Sequence, residues 1–399
     1  MDRNTFGKFG PAPTDGRGVV SSKKLVSVAD YQYAASKRLP RIAFDYLEPG
    51  AEDQVTCQRN RDVFRSFEFQ PRVLRNVAQV DLSTGVLGAR LGLPLVVGPT
   101  GFAGLFWPDA DKHLAASAAN ATIPFVLSTA STSSIEDVAS DCNHSGTRWF
   151  QLYLLKDRDA TADMVARADA AGYEALVLTV DTPCAGKREA SMRHGSRLPL
   201  RLDAEKVIDF MKHPAWTLQM LRYGQPRLAN FPHSRRAPFV MEAHLKRDIG
   251  WDDVRWLRSV WKKPIILKGI QSVDDARLAA DQGMDGIVVS NHGGRQLDGA
   301  PSPIQVLEHA VQDVGNHLAV MADSGFRRGA DVVKALALGA KCIWLGRATL
   351  YGVAVSGRPG VDHVLSVIED EMRRTMTLLG LRSVDEIDGS VIRRVSASS

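Results

Sequence analysis

The feature that most constrains the fold is a rhythm. From Leu93 onward, short apolar runs rich in Val, Ile and Leu alternate with amphipathic stretches. The runs cover 93–99, 122–128, 149–154, 175–180, 264–268, 286–290, 318–322 and 342–345. Most are continuous rather than alternating, as expected of parallel strands covered on both faces. Between them, 162–171, 273–282 and 330–338 have helical spacing, and Ser133, Ser272 and Ser302 stand where helix caps belong. Eight strands, each followed by a helix, are the count for a (β/α)8 barrel. The rival, a doubly wound sheet, wants a GxGxxG turn after its first strand. Here that strand ends in Gly98-Pro99-Thr100-Gly101. The expected fold is therefore α/β, a TIM barrel with an N-terminal helical extension and a long insert after strand four.

Composition narrows the class further. Hydrophobic residues at 44% and charged residues at 24% are ordinary globular usage. No apolar run reaches the length of a membrane-spanning helix. The net charge of +5 suits an anionic ligand, and the basic residues gather into no nucleic-acid tract. Cys57, Cys142, Cys184 and Cys342 form no CxxC pair and no zinc spacing, so neither disulfides nor a metal are expected, and a reducing, cytoplasmic setting fits. Residues 1–24 read as a flexible arm, 25–382 as a single barrel domain, and 383–399 as a C-terminal tail. The gap between strands four and five is too long for one helix and two loops, which places an insert at about 195–249. It mixes Trp216, Met220, Leu221, Tyr223 and Phe231 with Arg193, Arg197, Arg201, Lys206, Lys212, Arg222, Arg227, Arg235 and Arg236. Following a strand's C-terminal end, it reads as a lid over the barrel mouth, as a membrane-surface segment, or as both.

A barrel carries its chemistry at the C-terminal ends of its strands. In order, those ends deliver Pro99, Thr100 and Gly101; Ser128 and Thr129; Gln151 and Tyr153; Thr179 and Asp181; Lys268; Ser290, Asn291, His292 and Arg295; Asp323, Gly325 and Arg327; and Gly346 with Arg347. Each alone could be a loop cap, but a purely structural barrel has no reason for so complete a polar ring. Strands seven and eight supply glycines and arginines where barrels bind phosphate. His292, at a strand end near neutral pKa, can act as a base. Arg295 follows past two glycines and can clamp a carboxylate, and Asp181 can hold the imidazolium.

Ser290-Asn291-His292-Gly293-Gly294-Arg295-Gln296-Leu297-Asp298 resembles the signature of the FMN-dependent α-hydroxy acid dehydrogenases and oxidases. Segments 45–53, 99–101, 151–153, 178–183, 323–329 and 334–340 match as well, so the resemblance spans nearly the whole chain. Trp107-Pro108, 127–131, His213-Pro214-Ala215-Trp216, 228–231 and 347–352 are most similar to the bacterial mandelate dehydrogenases. The resemblance implies FMN as cofactor and oxidation of an L-2-hydroxy acid to the 2-keto acid. His292 would be the base, assisted by Asp181. Arg188 and Arg295 would bind the substrate carboxylate, with Tyr31 and Tyr153 contacting carboxylate and hydroxyl. Lys268 would sit by flavin N1 and O2. Thr100, Ser128, Gln151, Thr179 and Ser290, beside Pro99 and Gly101, would hold the isoalloxazine and ribityl parts. Asp323, Gly325, Arg327, Gly346 and Arg347 would hold ribityl and phosphate.

Ala130 stands where glycolate oxidases have tryptophan, and Gly101 where many oxidases have alanine. The first opens room for an aromatic or bulky acid such as (S)-mandelate, and the second favours a dehydrogenase over an oxidase. The alternatives are an L-lactate dehydrogenase, an oxidase using O2, another FMN barrel, and a non-catalytic barrel. A quinone or O2 would accept electrons, a homotetramer is expected, and contact would be peripheral on the inner membrane face.

Overall fold

The computed structural model describes residues 24–141, 146–193, 203–231 and 241–395. All eight apolar runs become strands: β1 (Leu95–Val97), β2 (Phe125–Ser128), β3 (Arg148–Leu152), β4 (Ala175–Thr179), β5 (Ile265–Ile270), β6 (Gly286–Val289), β7 (Ala319–Ala322) and β8 (Ile343–Leu345). Each pairs in parallel with the next, and β8 pairs with β1, closing the barrel.

The runs are continuous because both faces are buried, by different things. Val96, Val126, Trp149, Val177, Ile266, Val288, Met321 and Trp344 pack together in the interior. Trp149 and Trp344 fill its axis, with ring centroids 5.7 Å apart. A hairpin, Thr84–Val86 with Ala89–Leu91, adds Val86 and Leu91 to the same cluster. The alternate residues, such as Leu95, Leu127, Leu176, Leu267 and Ile287, belong instead to the larger core under the helices. This inward–outward alternation decides what each strand presents at its exit.

Outside the barrel, α1 (Val28–Arg38), α2 (Arg41–Leu47) and α3 (Val55–Asp62) form the N-terminal extension. The described part of the insert contains α4 (Ala204–Lys212) and α5 (Pro214–Tyr223). The chain returns through α6 (Trp251–Val260) and, after the barrel, α7 (Arg347–Ser356) and α8 (Arg358–Leu379). Ser272 caps its helix by accepting from the Asp275 N–H at 3.0 Å. Ser133 does not cap: its own N–H donates to buried Asp111 at 3.1 Å, and Ser134 Oγ accepts from the Asp137 N–H instead. Ile392–Arg394 pairs antiparallel with Phe67–Phe69, so the packed body extends beyond 382 to Val395. The expected arm up to residue 23, Cys142 and four insert arginines (197, 201, 235 and 236) lie outside the described residues.

The insert sorts its apolar residues. Trp216 and Phe231 are buried, while Leu221 and Tyr223 are exposed. Trp216 Nε1 donates to the Leu105 carbonyl at 2.8 Å, fastening α5 beside the exit of β1. None of residues 203–231 lines the central cavity, so the described helices stand beside the mouth rather than over it.

Candidate functional site

Two residues beyond each interior apolar side chain, the inward face turns polar. Val126 is followed by Ser128, Trp149 by Gln151, Val177 by Thr179, Ile266 by Lys268 and Met321 by Asp323; Val96 and Trp344 are followed by Gly98 and Gly346. All seven of these strand-end residues line one cavity, of about 1560 Å³ counting its open mouth. Pro99, Thr100, Gly101, Tyr153, Arg188, His292, Arg295, Gly325, Arg327 and Arg347 line it too. The period of two thus carries the barrel core directly into its active face.

His292 sits at left-handed φ of 57°, a sparsely populated conformation that needs external support. The support is a side-chain lock. Asn60 of α3 and Asn291 exchange amide hydrogen bonds of 2.8 and 2.7 Å, and Asn291 Oδ1 also accepts from the Gly294 N–H at 3.0 Å. At Gly294, φ is +73° and a Cβ would lie 2.8 Å from Cys57 N, so only glycine fits. Asp298 accepts from the N–H groups of Val55 and Thr56, tying the loop's far end to the start of α3.

The imidazole is held in turn by Asp181, whose carboxylate oxygens lie 3.1 and 3.3 Å from Nδ1. Burial works to raise Asp181, but His292 and Lys268 outweigh it and hold the carboxyl below its usual range. Burial lowers the His292 pKa, Lys268 adds to this, and Asp181 opposes it; the net shift is downward. His292 is therefore neutral at pH 7 beside an ionised partner, and Nε2 is the nitrogen left to take a proton. Gly269 makes room for this pair, since a Cβ there would stand 2.6 Å from the Asp181 Cβ.

Three arginines converge nearby. Arg188 and Arg295 stand over the Tyr46 ring, 5.9 and 5.6 Å from its centroid. Arg295 is further braced by the Tyr46 carbonyl at 3.0 Å and those of Leu47 and Pro49 at 3.3 Å. Burial, with Arg188 and Arg347 alongside, pushes Arg295 down to about 9, so it is still charged at neutral pH. The Arg347 guanidinium donates to the Gly293 carbonyl at 2.7 Å and to Leu47 and Pro49. Its side chain braces the His292 loop, and the group it offers an anion is the N-terminus of α7.

The wall also contains groups that call for a ligand. Gln151 Oε1 accepts from Ser128 Oγ at 3.0 Å, but the buried Nε2 has no hydrogen-bond partner among the described residues, nor does Thr179 Oγ1. Lys268 donates to Ser290 Oγ at 3.0 Å and pairs with Asp323 at 3.2 Å. Burial would lower Lys268, but Asp323 and Asp181 outweigh it and keep the ammonium charged. At the other end, Gly346 opens α7 without a side-chain cap, with nothing within 4 Å of where a Cβ would sit. In the facing loop, the buried Arg327 Nε has no hydrogen-bond partner among the described residues. A planar ring with a polar edge, joined to a phosphate, matches this donor set; FMN is such a molecule.

Three expected site residues do not line the cavity. Tyr31 is fully buried on the packed face of α1, and its hydroxyl meets His363 Nδ1 of α8 at 2.8 Å. The tyrosine that reaches the cavity from the N-terminal extension is Tyr46, at the end of α2. Ser290 does not line the cavity; its hydroxyl accepts from Lys268 and from the His292 N–H at 3.1 Å, so it positions both. Asp181 stands one layer back, behind His292. Phe106, Leu245 and Arg247, not expected from the sequence, line the cavity. Tyr46 lies within the matched segment 45–53 and Phe106 adjoins the matched Trp107-Pro108, which was the available signal. Leu245 and Arg247 come from the far end of the insert, where no motif marks them.

Comparison with known proteins agrees with this geometry. Residues 35–394 match the family described as FMN-dependent dehydrogenase. The chain is 44% identical to (S)-mandelate dehydrogenase of Pseudomonas putida over 92% of its own length and 93% of the relative's. It is 40% identical to a peroxisomal (S)-2-hydroxy-acid oxidase of Oryza sativa subsp. japonica, over 92% and 95% respectively. A crystal structure of monotopic membrane protein (S)-mandelate dehydrogenase superposes with a TM-score of 0.90 at 43% identity, covering 93% of this chain and all of that one. The chain thus belongs to the FMN-dependent dehydrogenases, TIM-barrel oxidoreductases that act on 2-hydroxy acids.

Proposed function

We propose that the substrate is an (S)-2-hydroxy acid with an aromatic or similarly bulky side chain, (S)-mandelate best of all. The observation that carries this is the pairing of a carboxylate-binding group with an open apolar side. Arg188 and Arg295 line the cavity that also contains His292, and its apolar lining pairs Phe106 and Leu245 with two minimal residues, Gly101 and Ala130. A Cβ on Gly101 would lie 3.1 Å from the Ala130 Cβ, so the two adjoin, and a larger side chain at either would take space from a substrate ring.

In this reading Arg188 and Arg295 fix the carboxylate bidentately, and Tyr46 holds the two guanidinium groups in place. Tyr153 contacts the substrate oxygen. His292 Nε2 takes the proton that the substrate loses, and Asp181 stabilises the imidazolium that results. FMN, when bound, accepts the two electrons. Gln151, Thr179, Ser128, Pro99, Thr100, Gly101 and Lys268 hold its ring system; Asp323, Gly325, Arg327, Gly346 and Arg347 hold ribityl and phosphate. The test is anaerobic bleaching of the flavin by (S)-mandelate, lactate and glycolate in parallel. Faster reduction by lactate or glycolate than by mandelate would overturn the substrate assignment.

The same proposal places the protein on a membrane surface. Among the described residues no helix is long and apolar enough to cross a bilayer. Yet Met211, Leu218 and Leu221 are 67, 65 and 76% exposed on α4 and α5, beside Lys212 and Arg222. Such a surface suits interfacial binding to anionic lipid, with a quinone as electron acceptor. Co-sedimentation with anionic vesicles should be lost when the three apolar residues become serine. Wild-type protein that stays in the supernatant at low salt would refute the placement.

A further inference from the structure

Arg247 is the cation at the cavity that the proposed chemistry does not use. It lines the cavity with Leu245, Thr182, Pro183 and Cys184, and its own exposure, with that of Pro183 and Cys184, puts it at the rim. The chain here is extended and pinned on both sides. The Lys246 N–H donates to the Leu154 carbonyl and the Lys156 N–H to the His244 carbonyl, both at 2.9 Å, so the segment runs antiparallel to the exit of β3. Three residues after Arg247, the Gly250 N–H donates to buried Asp253 at 3.0 Å.

Extended geometry sends neighbours to opposite sides. Lys246 points away from the cavity, and its ammonium meets both Asp253 oxygens at 2.7 Å. Leu245 and Arg247, two apart, face the cavity. Leu245 is buried in its wall, whereas Arg247 is exposed, and no carboxylate pairs with it among the described residues. Lys246 beside it is neutralised and Arg247 is not. A cation held on a pinned backbone at the entrance of a cavity that takes an anion, with no carboxylate partner among the described residues, has a direct physical consequence. It raises the local concentration of the anion and orients its carboxylate inward.

We propose that Arg247 is a capture residue. It meets the carboxylate of the incoming 2-hydroxy acid at the rim and passes it inward to Arg188 and Arg295, without taking part in the chemical step. The inference rests on the proposed carboxylate clamp.

The test uses FMN-loaded enzyme, (S)-mandelate and anaerobic stopped-flow reduction over an ionic-strength series. Arg247→Gln should lower kcat/KM about fivefold at low salt and flatten its salt dependence, because the lost interaction is a screened, exposed one. The limiting rate of reduction should stay unchanged. Arg247→Glu should lower kcat/KM further and reverse the sign of the salt effect, and Arg247→Lys should restore most of it. Flavin content and melting temperature should match wild type in all three. Variants with wild-type kcat/KM and salt slope, or with a lowered limiting rate at constant KM, would overturn the proposal. Failure of the clamp itself looks different: Arg295→Lys would then leave wild-type kinetics, whatever Arg247 does.

Discussion

Replacing Asp181 by asparagine isolates the charge behind His292 from its geometry. Both Asp181 oxygens lie near Nδ1, at 3.1 and 3.3 Å, so an asparagine keeps one oxygen in place to accept the same hydrogen bond. What is lost is the negative charge against an imidazolium that exists only after proton transfer. Two unit charges 3.1 Å apart attract by about 5 kcal/mol at an effective dielectric constant of about 20, and by about 1.3 kcal/mol in water. The Asp181 side chain is only 5% exposed, which excludes the aqueous limit. The dipole kept by asparagine trims the upper one, leaving a loss of about 2–4 kcal/mol in the barrier. The limiting rate of anaerobic flavin reduction should therefore fall about 30- to 1000-fold. The pH profile should move as well. His292 must be neutral to act, so activity falls as pH drops through its pKa. In the wild type that pKa is already below the usual histidine value, through burial and Lys268, with Asp181 holding it up. Without Asp181 it drops further, and the acidic limb shifts to lower pH. An Asp181→Asn enzyme with the wild-type limiting rate and an unmoved acidic limb would refute the assignment of charge stabilisation to Asp181.

Other perturbations separate positions that look alike in sequence. Tyr31→Phe should leave kcat unchanged and cost about 1 kcal/mol of stability, for one buried hydrogen bond to His363; Tyr46→Ala should raise KM, because Arg188 and Arg295 lose the ring they share. Gly269→Ala combines a φ of +110° with a contact 2.6 Å from Asp181 Cβ, so thermal unfolding should show a loss of roughly 1–3 kcal/mol and kcat should fall with it. Ala130→Trp should abolish turnover of mandelate while sparing glycolate, and equal losses on both substrates would show that the position does not face the side chain.

How much of this could be read from the chain depends on the distance over which each feature is determined. The barrel was legible because burial on both faces leaves eight continuous apolar runs, and because period-two alternation is local. The polar strand ends were legible for the same reason: Gln151, Thr179 and Lys268 each stand two residues beyond an interior apolar side chain. Tyr31 and Tyr46 could not be told apart in this way. Both lie on N-terminal helices, and which one reaches the cavity depends on how α1 and α2 dock, a long-range matter. Ser290 sits at a strand end but is turned behind Lys268, because its hydroxyl joins that ammonium to the His292 backbone. Arg247 was invisible, since the bracket that presents it joins β3 to a segment about 90 residues later. The insert's apolar residues were counted together by composition, but packing against Leu105 buries Trp216 and leaves Leu221 outside.

The charge of the site argues that its ligands also contribute to its stability. Six cations line the cavity (Arg188, Arg247, Lys268, Arg295, Arg327 and Arg347) against one lining carboxylate, Asp323. Asp181 and Glu48 stand behind, against His292 and the Tyr351 hydroxyl. Three positive charges are left over, which a phosphate dianion and one substrate carboxylate would answer. Lys268 has its counterion at 3.2 Å, but Arg295 is buried with Arg188 and Arg347 as neighbours and only carbonyl oxygens as acceptors. This crowding is a standing cost of the ligand-free site, and a carboxylate arriving at Arg295 relieves it. A 2-keto acid product at about 100 times its Kd should then stabilise the FMN-loaded enzyme by about 2.7 kcal/mol, several degrees in Tm. The corresponding neutral 2-keto amide, with the same ring and the same carbonyl, should give little of this shift, and Arg295→Gln should remove the difference between acid and amide. If amide and acid raise Tm equally, the gain comes from filling the apolar side of the cavity, and the arginines are not waiting for an anion.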